Sequence, residues 1–149
     1  MACGAGLDAS DLRHLFCRQI IDHGDTGIEV TIAGTNARRV WVRREYEDLV
    51  RIGINGVSAD HTLFGRGTEA RNGINGVLNA LVYVEKGLTF DAARMRTTWL
   101  AWLVTQPVSL RTILDVSGLQ SARTLAEIIA VLPPTAPPEV RALLRGEAQ

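Results

Sequence analysis

Arginine carries the chemistry most visible in this sequence. Fifteen of the sixteen basic residues are Arg and only Lys86 is Lys. A guanidinium can grip a phosphate through two parallel N–H donors, where an ammonium offers a point charge. Arg-favouring codon bias in a GC-rich genome yields the same composition with no phosphate involved. The segment Ala93-Arg94-Met95-Arg96-Thr97-Thr98-Trp99 holds two arginines, and Arg38, Arg39, Arg43 and Arg44 form the densest basic cluster, beside Trp41. On a strand, Arg39 and Trp41 share one face and Arg38 and Val40 the other, which dilutes a patch. As DNA contacts such arginines would act through backbone phosphates without reading sequence. The adjacent Glu45, Glu47 and Asp48 favour an ordinary solvated face instead.

Other chemistry-bearing residues read as structural. His14 and Cys17 share a helix face near Asp22 and His23, yet this spacing does not converge on a metal, and none is expected. Ser10 and Ser121 suit helix N-caps, since neither lies in a Gly-x-Ser-x-Gly context. The Gly65-Arg66-Gly67 loop is too short for a phosphate cradle, and Trp99 and Trp102, three apart on one helix, read as core packing. Cys3 and Cys17 show no Cys-x-x-Cys spacing, so neither zinc nor a disulfide framework is implied. No cofactor is expected.

These residues must be positioned by a mixed set of elements. Asp8 or Ser10 can cap a helix whose apolar positions include Leu12, Leu15, Phe16, Ile20 and Ile21. Ile28-Glu29-Val30-Thr31-Ile32 and Arg39-Val40-Trp41-Val42 alternate, and with the turn at Gly34-Thr35-Asn36 they predict a β-hairpin. A helix follows over 44–52, a short third strand at Thr62-Leu63-Phe64, and a helix over 71–84 burdened by Gly73 and Gly76. Thr89 or Asp91 caps a long helix through Val104. Ser109 caps a helix over 110–116 that stops at Gly118, and Ser121 caps one over 122–132 that Pro133-Pro134 ends. Pro137-Pro138 opens a last short helix.

The prediction is an α+β fold, mainly helical, with a small antiparallel sheet (hairpin plus short strand) beside a helical bundle. At 149 residues the chain is expected to form one domain over 1–149, with 133–149 as a Pro-rich turn and tail helix. A formal net charge of zero removes any global basic signal for nucleic acid. No apolar run is long enough for a membrane span, and the start lacks the pattern of a signal peptide. The expectation is a cytoplasmic protein with no membrane partner.

The segment around Arg96, followed by Ser109-Leu110-Arg111-Thr112-Ile113-Leu114-Asp115-Val116-Ser117-Gly118-Leu119 and then Ser121-Ala122-Arg123-Thr124-Leu125, resembles the C-terminal signature of the tyrosine recombinase (phage integrase) family. Gly4-Ala5-Gly6-Leu7-Asp8-Ala9-Ser10-Asp11-Leu12 is similar to that family's Gly-Leu-Arg-x-x-Glu-Leu motif. The hairpin with Gly34-Thr35-Asn36-Ala37-Arg38-Arg39-Val40 resembles the turn carrying its lysine, and Leu63-Phe64-Gly65 a Leu-Phe segment. The resemblance covers nearly the whole chain and implies the catalytic core of a DNA breaking-rejoining enzyme, with an ancestry in DNA integration and site-specific recombination. It also implies that the family's separate N-terminal DNA-clamping domain is missing, because the chain starts at the first catalytic motif.

The chemistry that the resemblance implies is largely missing. Active members bind the scissile phosphate with two arginines, move protons with lysine and histidine, and attack with tyrosine. Here the first arginine position is Asp8, whose carboxylate repels phosphate. The lysine position falls near Ala37, and the neighbouring Arg38 hardly gives up a proton. The histidine positions are Ala93 and Leu119, and the tyrosine position falls at Ile128 or Ile129, with Tyr46 and Tyr83 far upstream. Only Arg96 remains, either as a phosphate ligand or as a helix arginine paired with a carboxylate such as Asp91 or Asp115. Strand cleavage by this chain alone is therefore not expected. The resemblance leaves residual DNA binding through Arg38, Arg39, Arg94 and Arg123, or regulation of an intact recombinase. The alternatives are a protein-interaction module that assembles with itself or a partner through residues 137–144, a mobile-element remnant, and an enzyme completed by a tyrosine from another chain.

Overall fold

Apolar and polar residues alternate from Ile28 to Ile32, and that alternation sets the centre of the sheet. The computed structural model of the chain describes residues 1–65, 73–80, 91–134 and 145. In it β2 (Ile28–Ile32) is flanked by β1 (Ile20–Asp22) and β3 (Arg38–Trp41), both antiparallel, in the order β1-β2-β3. The register places Ile20 opposite Val30 and Val30 opposite Val40, and all three are buried. Because strand side chains alternate faces, Ile21, Glu29 and Trp41 share the other side, where Ile21 and Trp41 are about half exposed. The expected hairpin is present, and Arg38 is the first residue of its second strand.

The third strand is not where the sequence pattern put it. Thr62 makes an isolated antiparallel bridge with Phe16 and no strand forms at 62–64. The strand comes instead from Ile20–Asp22, which the apolar spacing assigned to the first long helix. That helix, α2 (Ala9–Arg13), stops after five residues. Gln19 holds the turn that follows: its Oε1 accepts from the Phe16 N–H at 2.8 Å and its Nε2 donates to the Thr31 carbonyl at 2.8 Å. Apolar positions at 12, 15, 16, 20 and 21 serve a helix or a helix-turn-strand equally well, and pairing with β2 decides between them.

The other described helices are α1 (Ala2–Ala5), α3 (Arg44–Ile54), α4 (Gly73–Ala80), α5 (Ala92–Leu103), α6 (Leu110–Ser117) and α7 (Arg123–Ile129). The caps at Asp91 and Ser109 form as expected, accepting from the Arg94 and Thr112 N–H groups at 2.7 and 3.1 Å. Gly118 closes α6 in the left-handed conformation, φ 67°. Ser121 does not cap α7; Ala122 occupies that position with no side-chain cap. The helix expected over 71–84 is described only as α4. The Arg66-Gly67 part of the loop, Tyr83, Lys86, Thr89 and the tail over 135–144 lie outside the described residues. Among the described residues no helix is long and apolar enough to cross a membrane. The architecture is mainly helical with a small antiparallel sheet, as expected.

α1 packs across α5, and α6 lies against β3. Their shared core includes Leu7, Leu12, Ile28, Trp99, Ile113 and Leu125, all buried. Gly6 ends α1 at φ 64°, and a Cβ there would come within 2.1 Å of a Trp99 ring carbon. Only glycine supplies both the backbone conformation and the space. The Gly6→Ala substitution is expected to destabilise the fold by about 2–5 kcal/mol, from left-handed strain and overpacking together. Denaturant unfolding would measure it, and a loss under about 1 kcal/mol would mean α5 yields without consequence.

Candidate functional site

Four segments converge at the base of the β2–β3 hairpin: the start of α2, the start of β3, and the facing parts of α5 and α6. The sequence explains the first. Asp8 caps α2, its Oδ1 accepting from the Ser10 and Asp11 N–H groups at 2.8 and 2.9 Å. Asp11 answers three residues later by accepting from the Asp8 N–H at 3.1 Å. This reciprocal capping box aims Asp11 toward β3.

Arg38, the inward-facing residue at the start of β3, meets it there. Its Nη2 donates to Asp11 Oδ2 at 2.6 Å, its Nε to the Val116 carbonyl at 3.2 Å and its Nη1 to the Asn36 carbonyl at 3.1 Å. The Arg38 and Asp11 side chains are only 5% and 9% exposed, so this is a buried ion pair. Gly118 is favoured here by its left-handed φ of 67°, and a Cβ on it would also stand 3.1 Å from Arg38 Cδ.

Arg96 occupies the next position. Its Nη1 donates to the Gly6 carbonyl and its Nη2 to the Ser117 carbonyl, the latter at 2.6 Å. Neither Asp91 nor Asp115 is its partner. Asp91 caps α5, and Asp115 pairs with Arg111 at 2.9 Å. Burial first, and the nearby Arg38 charge second, push the Arg96 guanidinium down from its ordinary value, while Asp8 and Asp11 act in the opposite direction. The group stays a cation, because arginine loses its proton only far above neutral pH.

Of the residues singled out in the sequence, the structure thus brings Arg38 and Arg96 together. Arg39 points to the opposite face of β3, 75% exposed and 3.6 Å from Glu29. Arg94 is exposed on α5, about 200° round the helix from Arg96. Arg123 is exposed and pairs with Glu127 one turn on. The proposed tyrosine positions hold a core residue, Ile128, and an exposed one, Ile129, while Tyr46 packs beside Gly4 of α1. Trp99 is buried as expected, and Trp102 is partly buried under the Arg43 guanidinium at 4.3 Å. Among the described residues no group of three His, Cys, Asp or Glu could hold a metal. Burial pushes the Cys17 thiol up from its ordinary value.

Sequence reasoning missed Asp11 and the carbonyls of Gly6, Val116 and Ser117. The Asp-x-x-Asp spacing at 8 and 11 was a usable signal for the capping box. Nothing local announces which backbone carbonyls an arginine will reach. The opening beside the cluster, about 370 Å³, is lined by Asp8, Ser10, Asp11, His14 and the hairpin turn at Gly34, Thr35 and Asn36. Both carboxylates line this opening and neither arginine does, whereas in the cluster behind it two guanidiniums balance two carboxylates. An incoming phosphate would have to displace existing acceptors from Arg38 and Arg96.

No family model and no curated protein sequence matches the chain. Solved structures do. An integrase of the transposon Tn1549, in complex with circular intermediate DNA, superposes with a TM-score of 0.59 at 15% identity, over 99% of this chain and 57% of the integrase. The XerA recombinase superposes with a TM-score of 0.57 at 12% identity, over 99% of this chain and 53% of XerA. At such identities the likeness is one of fold, and the fold is tyrosine-recombinase-like. The chain spans little more than half the length of these structures.

Two stability experiments test the cluster. Arg96→Ala removes two charge-assisted hydrogen bonds to inward-facing carbonyls and is expected to cost about 2–4 kcal/mol in urea unfolding. Arg96→Lys should recover less than half, because an ammonium lacks the fork that spans both oxygens. Asp11→Ala leaves Arg38 buried without its carboxylate and is expected to cost at least about 3 kcal/mol. Asp60→Ala, which breaks the exposed Arg18–Asp60 pair of similar length, should cost under about 1 kcal/mol. Equal losses for the two aspartates would contradict the burial argument.

Proposed function

We propose that this chain is a non-catalytic, recombinase-like domain acting in DNA recombination or integration, and that its contact with DNA is residual and sequence-independent. One observation carries the reading: the guanidinium groups of Arg96 and Arg38 are engaged by Gly6, Ser117, Val116, Asn36 and Asp11. In a phosphoryl-transfer site these groups would be held ready for the charge that grows on the phosphate. Here they hold the protein together. With an aspartate capping α2 and isoleucines where the resemblance places the nucleophile, the cluster has neither electrostatic stabilisation nor an attacking group to offer.

DNA contact is then assigned to the exposed arginines. Arg39, Arg94 and Arg123 can meet backbone phosphates from outside the cluster without specifying bases. Arg38 and Arg96 contribute by keeping the scaffold in shape. A second reading, a protein-interaction module that works with an intact recombinase or a second copy, draws support from the acidic lining beside Asp8 and Asp11. Exposed Leu49 and Ile52 on α3 add to it, since such residues are common in partner interfaces.

Fluorescence anisotropy with random-sequence duplex DNA separates the two. Weak binding is expected, with Kd on the order of 10⁻⁵ M at moderate salt, tighter at low salt. The triple variant Arg39→Ala, Arg94→Ala, Arg123→Ala should weaken it at least about tenfold and flatten the salt dependence. No binding at low salt would leave the interaction module. A covalent protein–DNA adduct on a nicked suicide substrate would overturn the non-catalytic assignment itself.

A further inference from the structure

On the other side of α2 lies an open depression of about 590 Å³ lined by Arg13, His14, Phe16, Val57, Asp60, His61 and Leu63. Arg13 lies about 200° round α2 from Asp11, so it turns away from the Arg38–Arg96 cluster. Unlike most arginines described, it has no carboxylate partner among the described residues. Asp60, which lines the same depression, is held by Arg18 at 2.6 Å. Arg13 Nε is buried and has no acceptor. That one nitrogen has lost hydration without gaining a partner, which leaves the guanidinium poised to take an anion.

The surrounding groups say what kind of anion. His14 and His61 bring imidazole nitrogens to the same depression, and each can donate to an oxygen. Phe16, Val57 and Leu63 supply an apolar wall. The Arg18 guanidinium lies 4.3 Å from the centre of the Phe16 ring, so that ring already takes part in stacking. The depression is of a size that holds small molecules, with an apolar lining and a few converging polar groups. We propose that it binds a phosphomonoester carried on a flat ring, a ligand of the nucleotide class. The phosphate sits on Arg13 with His14 and His61, and the ring lies against Phe16, Val57 and Leu63. This site does not rest on the DNA-binding reading, because it shares none of Arg39, Arg94 and Arg123 with it.

The test is an amide NMR titration of the full chain with adenosine monophosphate, adenosine, inorganic phosphate and a short DNA duplex as separate probes. Adenosine monophosphate is expected to bind saturably, with shifts centred on Arg13, His14, Phe16 and His61. Adenosine and inorganic phosphate should each bind at least about tenfold more weakly, since each lacks half of the recognition. Arg13→Gln should weaken nucleotide binding at least about tenfold by removing the charge-assisted bonds. His61→Ala, at an exposed side chain, should weaken it with the fold undisturbed, which keeps the test valid should Arg13→Gln unfold. Failure of the nucleotide to saturate, indifference to both substitutions, or equally tight inorganic phosphate would overturn the proposal. Displacement of the nucleotide by the duplex, with the same amides shifting, would also overturn it, assigning the depression to a strand phosphate instead.

Discussion

The fold turns on one side chain held by two backbone oxygens. Arg96 projects from α5 and donates to the carbonyl that ends α1 and to the carbonyl that ends α6. Helix-terminal carbonyls have no partner within their own helix and must find one elsewhere. A cation is a fitting partner there, because the helix dipole leaves partial negative charge at that end. One guanidinium therefore ties three helices at the point where their unpaired acceptors meet. Trp99, three residues later on α5, presses against the same glycine from the neighbouring position.

The second constraint is the Arg38–Asp11 pair. A buried ion pair gains little net stability against a well-packed apolar replacement, yet it penalises arrangements that leave either charge alone. Arg38 must therefore stay on the inner face of β3, which holds the strand register, and Asp11 must stay on its helix turn. Asp8 and Asp11 also cap each other, so the same carboxylates end a helix and neutralise a cation. That double use explains how two aspartates can sit beside two arginines with the charges balanced. It also explains why the cluster acts as a structural joint. All four Nη nitrogens already have an acceptor, and these four acceptors lie on the hairpin turn, α2, the end of α1 and α6.

The neighbouring depression shows the opposite condition. Arg13, on the far side of the same short helix, has its Nε buried without an acceptor, while Asp60 nearby is taken by Arg18. Two arginine environments, one saturated and one unsatisfied, thus flank α2. The difference follows from helical geometry, since residues two apart on a helix point to nearly opposite sides.

The sequence alone determined the elements whose signals are local. The alternation through Ile28–Ile32 and the turn at Gly34 specified the hairpin, and Asp91, Ser109 and Gly118 marked helix ends because capping depends on residues within one turn. Period two also put Arg38 and Arg39 on opposite faces of the strand, and the burial of Val40 made the Arg38 face the inner one. What the tertiary structure decided were the choices that depend on distant partners. Whether residues 20–22 continued a helix or joined a sheet was settled by β2, with Gln19 bridging to Thr31, and Thr62 makes one isolated bridge to Phe16 in place of a strand. The role of Arg96 was equally out of reach. Its two acceptors lie 90 positions before it and 21 after it, and they are backbone oxygens, which every residue possesses and no side-chain pattern reveals.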